Sequence, residues 1–172
     1  MEGTLAMKKW MQLWLSVLLW IGMIFYFSSQ PYEKQDMRPT FAQYVDEHTV
    51  EKYFSWVDFT YVGHEVSIAH LGVPGFLEFF LRKGSHFSVY FVLAILLHRA
   101  LSHYSMRKGQ AVIFALLLTA AYAGFDEVHQ SFTKDRTPLW QDSVLDTVGG
   151  LLGLAARLLF MRLKRGDSTA RI

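Results

Sequence analysis

Four apolar stretches, the second and third short of the roughly 20 residues that a helix needs to cross a bilayer unless their polar ends are drawn to headgroup depth, constrain this chain more than any other feature. The first runs from Trp10 to Phe27 behind Lys8 and Lys9. It lacks the small-residue cleavage site of a secretory signal and ends in the aromatics Phe25, Tyr26 and Phe27, so it is expected to stay as a helix. The second opens at Lys83 and runs to His98 and Arg99, the third spans Ala111 to Phe125, and the fourth Pro138 to Leu163. With 172 residues, 52% of them apolar and collected in blocks, the chain reads as one all-α domain, a polytopic membrane bundle. Its helices are expected at about 9–28, 83–103, 109–130 and 138–163 of a single domain 1–172. Thr137 is the expected N-cap of the last, with Pro138 at its first helical position.

Lysine and arginine set the orientation. Lys8 and Lys9, then Arg99, Arg107 and Lys108, then Arg162, Lys164 and Arg165 fall at alternate ends of four spans, which puts both termini in the cytoplasm. Segments 28–82 and 126–141 are then extracytoplasmic. The first holds eight acidic residues against Lys34, Arg38, Lys52 and Arg82. Within it Pro39 to Phe54 suits a short surface helix, and Gly75 to Leu81, behind the breakers Gly72 and Pro74, suits an interfacial or re-entrant piece. A net charge of +2 without a basic stripe argues against nucleic acid as partner, and the absence of cysteine excludes disulfides and thiolate ligands.

Ionisable residues interrupt these stretches at the ends assigned to the outer face, where polar groups in lipid demand a reason. Lys83, His86 and Tyr90 share one helix face at i, i+3 and i+7. Asp126, Glu127, His129 and Gln130 close the third span, where the helix dipole disfavours carboxylates and asks for compensation. Lys83, Arg136, a metal or a proton on one acid would supply it. Asp142 and Asp146 stand one turn apart above Gly149 and Gly153, a GxxxG groove that would pack on Ala120 and Gly124 of the third helix.

Together these ten residues form the expected ligand-binding set: Lys83, His86, Tyr90, Asp126, Glu127, His129, Gln130, Arg136, Asp142 and Asp146. His86, Glu127 and His129 are the candidates should catalysis occur, with Mg²⁺ as the cofactor such acids would take. No H-E-x-x-H or P-loop is present, and His64, His70, His98 and His103 read as ordinary interfacial histidines.

Three functional readings follow from the residues. The outer cluster recognises the headgroup of an amphiphile such as a membrane lipid; or the protein is a membrane enzyme acting on a lipid phosphate or pyrophosphate; or the charges are a structural salt-bridged core.

Segments F-S-S-Q at Phe27 to Gln30, K-G-S-H-F-S-V-Y at Lys83 to Tyr90, and D-E-V-H-Q-S-F-T-K-D-R at Asp126 to Arg136 resemble the VanZ-like membrane family. So does D-S-V-L-D-T-V-G-G-L-L-G from Asp142 to Gly153, except that Asp146 stands where the family carries asparagine. The resemblance implies a bacterial cell-envelope protein associated with low-level resistance to the glycopeptide teicoplanin. It also implies partners of the class of a lipid-linked cell-wall precursor or a lipoglycopeptide.

Overall fold

A computed structural model describes the backbone of residues 2–104, 106–133 and 138–169, and within it the side chains other than those of 2, 3, 6, 108 and 165–169. Four long helices dominate: α1 (Glu2–Ser28), α4 (Ile68–Leu101), α5 (Lys108–Gln130) and α6 (Trp140–Thr169). Each is long and apolar enough to cross a membrane. Between α1 and α4 lie a 3-10 turn at Tyr32–Lys34, the short helices α2 (Arg38–Tyr44) and α3 (Glu47–Phe54), and a hairpin of β1 (Asp58–Tyr61) and β2 (His64–Ser67). The expected surface helix at 39–54 is thus two helices, parted where Val45 turns extended.

The hairpin was not foreseen. Its turn residues, Val62 at φ 52° and Gly63 at φ 79°, both sit in the left-handed region, the signature of the two-residue type I′ turn. Glycine occupies its position without penalty, whereas β-branched Val62 is strained there.

The second span starts 15 residues before Lys83. Ser67 caps it by accepting the His70 N–H at 3.1 Å, and Gly72, at φ 66° and ψ 168°, kinks it. Pro74 follows the kink, in the opening turn where a missing N–H costs nothing. The breakers therefore act inside the helix start, and Gly75 to Leu81 continues α4 instead of forming a separate interfacial piece. At 1.5 Å per residue, 34 residues reach about 50 Å, well beyond a hydrocarbon core of about 30 Å. The extra turns pack beneath the loops, where Phe76 meets Phe54 and Phe80, and Phe79 meets Phe59 and Tyr61.

The bundle core is built on α4, with Tyr90, Leu93, Ala94 and Leu97 buried against Val17 and Ile24 of α1, Ala115 and Ala123 of α5 and Leu154 of α6. On α5 a four-residue stripe of small side chains, Ala111, Ala115, Thr119 and Ala123, is at most 1% exposed. This stripe takes the place of the expected Ala120–Gly124 groove. A Cβ on Gly124 would meet nothing within 4 Å, while one on Gly150 would stand 2.7 Å from the Thr119 methyl. The GxxxG of α6 meets α4 instead: a Cβ on Gly149 or Gly153 would strike the carbonyl oxygens of Phe87 and Phe91, at 2.5 and 2.2 Å. Leucines such as Leu18, Leu19, Leu117 and Leu151 face outward, as lipid contact requires.

Candidate functional site

The close approach of α4 and α6 places polar side chains opposite one another at the hairpin end of the bundle. Lys83 Nζ donates to both carboxylate oxygens of Asp142, 2.5 Å away. The Tyr61 hydroxyl donates to the same carboxylate at 2.5 Å, and the lysine stands 4.8 Å from the Tyr61 ring. Burial first, and then the bond to Asp142, push the Tyr61 phenol up from its ordinary value, so it remains a donor. One turn deeper, His86 Nδ1 lies 3.5 Å from Asp146 Oδ2.

Asp126, Glu127 and Asp146 are all buried. Glu127 accepts the Leu139 N–H at 2.8 Å, satisfying a donor just before the first turn of α6. Leu139 and Pro138 are not helical, so α6 begins at Trp140 and not at 138 as expected. Gln130 donates to Asp126 at 3.1 Å. Tyr90, fully buried, lies within the electrostatic reach of Asp126 and Asp146, and Glu127 within that of His86, Asp142 and Asp146. Asp126 Oδ1, Asp146 Oδ1 and the Tyr90 hydroxyl have no hydrogen-bond partner among the described residues. Polar atoms so buried are costly to leave unsatisfied.

Nine of the ten expected site residues fall at this end of the bundle, and eight of them join the network or line it. The exception is His129, whose ring stacks on Phe25 at 4.2 Å and on Phe125 at 6.2 Å. Among the described residues no ion pair or hydrogen bond ties its side chain to the acids. His86 and His129 thus do not converge on one substrate atom. Arg136 and Thr137 lie outside the described residues.

Among the described residues no three His, Asp or Glu side chains converge on a point a metal would hold. Asp142 is engaged by Lys83, Asp146 by His86 and Glu127 by a backbone N–H.

Two clusters escaped the sequence reading. Glu78, 4% exposed, pairs with Arg82 at 2.7 Å and Arg38 at 3.5 Å, and Arg38 reaches Asp36 at 2.7 Å. Both guanidiniums lie over the Tyr32 ring, at 4.3 Å for Arg82 and 5.4 Å for Arg38. A hydrogen bond from Arg38 holds the Asp36 carboxyl well below the usual carboxylate range. The i, i+4 spacing of Glu78 and Arg82 would have flagged this pair had the helix been drawn back to Ile68. At the other end of the bundle His98, 3% exposed, accepts from Arg157 Nε at 2.8 Å and is no interfacial histidine. Arg157, inside an apolar helix, was its signal.

Beneath the hairpin lies an open cavity of about 290 Å³, lined by Tyr32, Arg38, Tyr61, Arg82, Lys83 and Leu139 among others. Three cations and two phenols share this space with the carboxylates of Glu65 and Glu78, and the guanidinium N–H groups left over by the Glu78 pairs are donors of the kind that takes an anion.

A family model described as VanZ/LLP1 matches residues 13–161. No curated protein and no solved structure matches the chain.

Proposed function

The chain belongs to the VanZ/LLP1 family, and from that premise we propose that it is a cell-envelope protein recognising the anionic head of a lipid-linked or lipidated amphiphile. The hairpin end faces outside the cytoplasm, as the alternation of lysine and arginine along the chain supports. The single observation that carries the reading is the cavity under the hairpin, where Arg38, Arg82 and Lys83 meet Tyr32 and Tyr61 and outnumber the carboxylates of Glu65 and Glu78. Arginine forks suit the paired oxygens of phosphate or carboxylate, and Lys83, held by Asp142, is a fixed point charge beside them. The acids behind, Asp142, Asp146 and Glu127, orient the cations and the start of α6 instead of touching the ligand.

Protection against teicoplanin, a glycopeptide with a lipid tail, follows as the physiological role. Cells expressing the wild type should resist teicoplanin better than vancomycin, with Lys83→Ala and Arg82→Ala losing the protection even where expression is raised to match the wild type's membrane abundance. Loss of one charge-assisted contact weakens binding by about 1.5–3 kcal/mol, tenfold or more. Equal susceptibility of all strains would sink the resistance role. The chain has no cysteine, so His64→Cys reports topology directly: labelling by an impermeant maleimide from outside is expected, and labelling only after lysis would reverse the orientation.

The pairing of Lys83 with Asp142 and of His86 with Asp146 favours a second reading, a polar lock joining the ends of α4 and α6. Under it, the same variants would lose abundance and protection together.

A further inference from the structure

At the hairpin end α1 and α4 do not close on one another. A groove of about 300 Å³ lies between them, walled by Met23, Ile24 and Phe27 of α1 and by Leu81, Ser85 and Val89 of α4. From Leu81 to Val89 it follows the helix axis for about 12 Å. Its wall includes Ser28, 4% exposed, whose hydroxyl has no hydrogen-bond partner among the described residues. Such an atom in an apolar wall awaits a polar atom from outside the chain.

Glu78 and Arg82 border this groove and the cationic cavity alike. An apolar space and a charged space therefore meet at the Arg82–Glu78 pair, where the guanidinium, its fork only partly used by Glu78, suits a molecule that is anionic at one end and hydrocarbon at the other. The volume is at the bottom of the range for small-molecule sites, about 300–1,000 Å³. It takes a segment of one hydrocarbon chain and not two chains side by side. A tail leaving lipid for this groove gains little from water exclusion, because the medium it leaves is as apolar as the wall. The groove therefore selects by shape, while the cations supply affinity.

We infer that the α1–α4 groove seats the hydrocarbon chain of a single-chain anionic amphiphile, entering sideways from the bilayer, with its head against Arg82 in the hairpin cavity. This rests on the headgroup reading above. Trp20 is a built-in reporter, since its indole N–H donates to the carbonyl of Val89, a groove residue, at 2.8 Å.

The test uses the full chain in phosphatidylcholine nanodiscs, with Trp10, Trp14, Trp56 and Trp140 replaced by Phe so that Trp20 alone fluoresces. Radiolabelled dodecyl phosphate measures total binding, and the same molecule brominated along its chain measures where the tail lies. Binding and Trp20 quenching should saturate over the same concentration range. Ser85→Phe, which fills the groove, should abolish the saturable quenching while radiolabel binding persists, and Arg82→Gln should lose both. Saturable binding with quenching that only rises in proportion to bromolipid in the bilayer would overturn the groove and leave the headgroup site standing. Absence of saturable binding would remove the headgroup site, and the groove inference with it. Equal saturable quenching by brominated phosphatidic acid, which has two chains, would overturn the selection for a single chain.

Discussion

Two seams run along α4, and they are built on opposite principles. Against α6, glycines let backbone meet backbone, and polar pairs close both ends: Lys83 with Asp142 and His98 with Arg157, each 59 residues apart in sequence. The equal offset means that the two helices run parallel without slipping. Against α1 the contact is made by bulky side chains, pinned by the Trp20 bond to the Val89 carbonyl, and it gapes into a groove at the hairpin end. In lipid, where apolar surface gains nothing from association, helices are held by close packing and interhelical hydrogen bonds. The α6 seam has both in quantity and the α1 seam has little of either, so the first is expected to be rigid and the second to admit a guest.

The largest test of this contrast is Gly153→Ala. Its Cβ would fall 2.2 Å from the Phe91 carbonyl oxygen, a backbone atom that cannot swing aside. A loss of about 3 kcal/mol is expected, as for overpacking elsewhere, read from unfolding in mixed micelles. Gly22→Ala on α1, with nothing within 4 Å of the added methyl, should change stability by no more than about 1 kcal/mol, in the stabilising direction that alanine favours in a helix. Similar losses for both would erase the distinction between the seams.

Next in size is Lys83→Met, which leaves Asp142, among the described residues, with the Tyr61 hydroxyl alone. Breaking a fully buried pair costs about 3–5 kcal/mol; with these side chains 16% and 19% exposed, about 2 kcal/mol is expected. Adding Asp142→Leu should restore most of it, because the stranded charge goes too. No recovery in the double variant would mean that the pair does more than neutralise itself.

The smallest effect concerns Asp36, whose partner Arg38 ties α2 to Glu78 beside the groove. Its folded pKa lies below the ordinary value, so the unfolded chain binds more protons and stability rises with pH across that window. The contribution, under about 1 kcal/mol for so exposed a pair, is complete above about pH 4 and lost as acid titrates the folded carboxyl. Melting temperatures of wild type and Asp36→Asn should differ by a constant amount from pH 8 to 5 and converge only below that. Convergence near neutrality would show that the pair is not formed.

Much of the bundle was legible because length and hydropathy alone define a span, and lipid leaves the backbone few alternatives. The site was legible for a related reason: Asp126, Asp142 and Lys83 stand out against leucine, where among soluble surface residues they would not. What escaped lay outside the apolar background. The hairpin rests on two turn residues, only one of them glycine, and the start of α4 was hidden because Gly72 and Pro74 look like a stop when they open a helix. The partners of α6 were assigned to α5 from small-residue spacing, which marks a helix as able to pack closely but says nothing about which neighbour it meets. Arg157 was not singled out in its apolar helix, so its bond to His98 went unread.

The parallel pairing of α4 with α6 has a consequence for how the chain is made. The two helices cannot be neighbours in translation, because α5 must be synthesised and returned across the bilayer between them. Until α6 is threaded, Lys83 and His86 have neither Asp142 nor Asp146 beside them, and the Glu127 carboxylate lacks the Leu139 N–H that it accepts. A nascent chain halted after α5 therefore presents unmatched charges at its membrane surface, a mark that quality-control proteases can read. Chains ending at residue 133 should turn over faster than full-length ones in a pulse-chase experiment. The arrival of α6 would then serve as the signal that the bundle has closed.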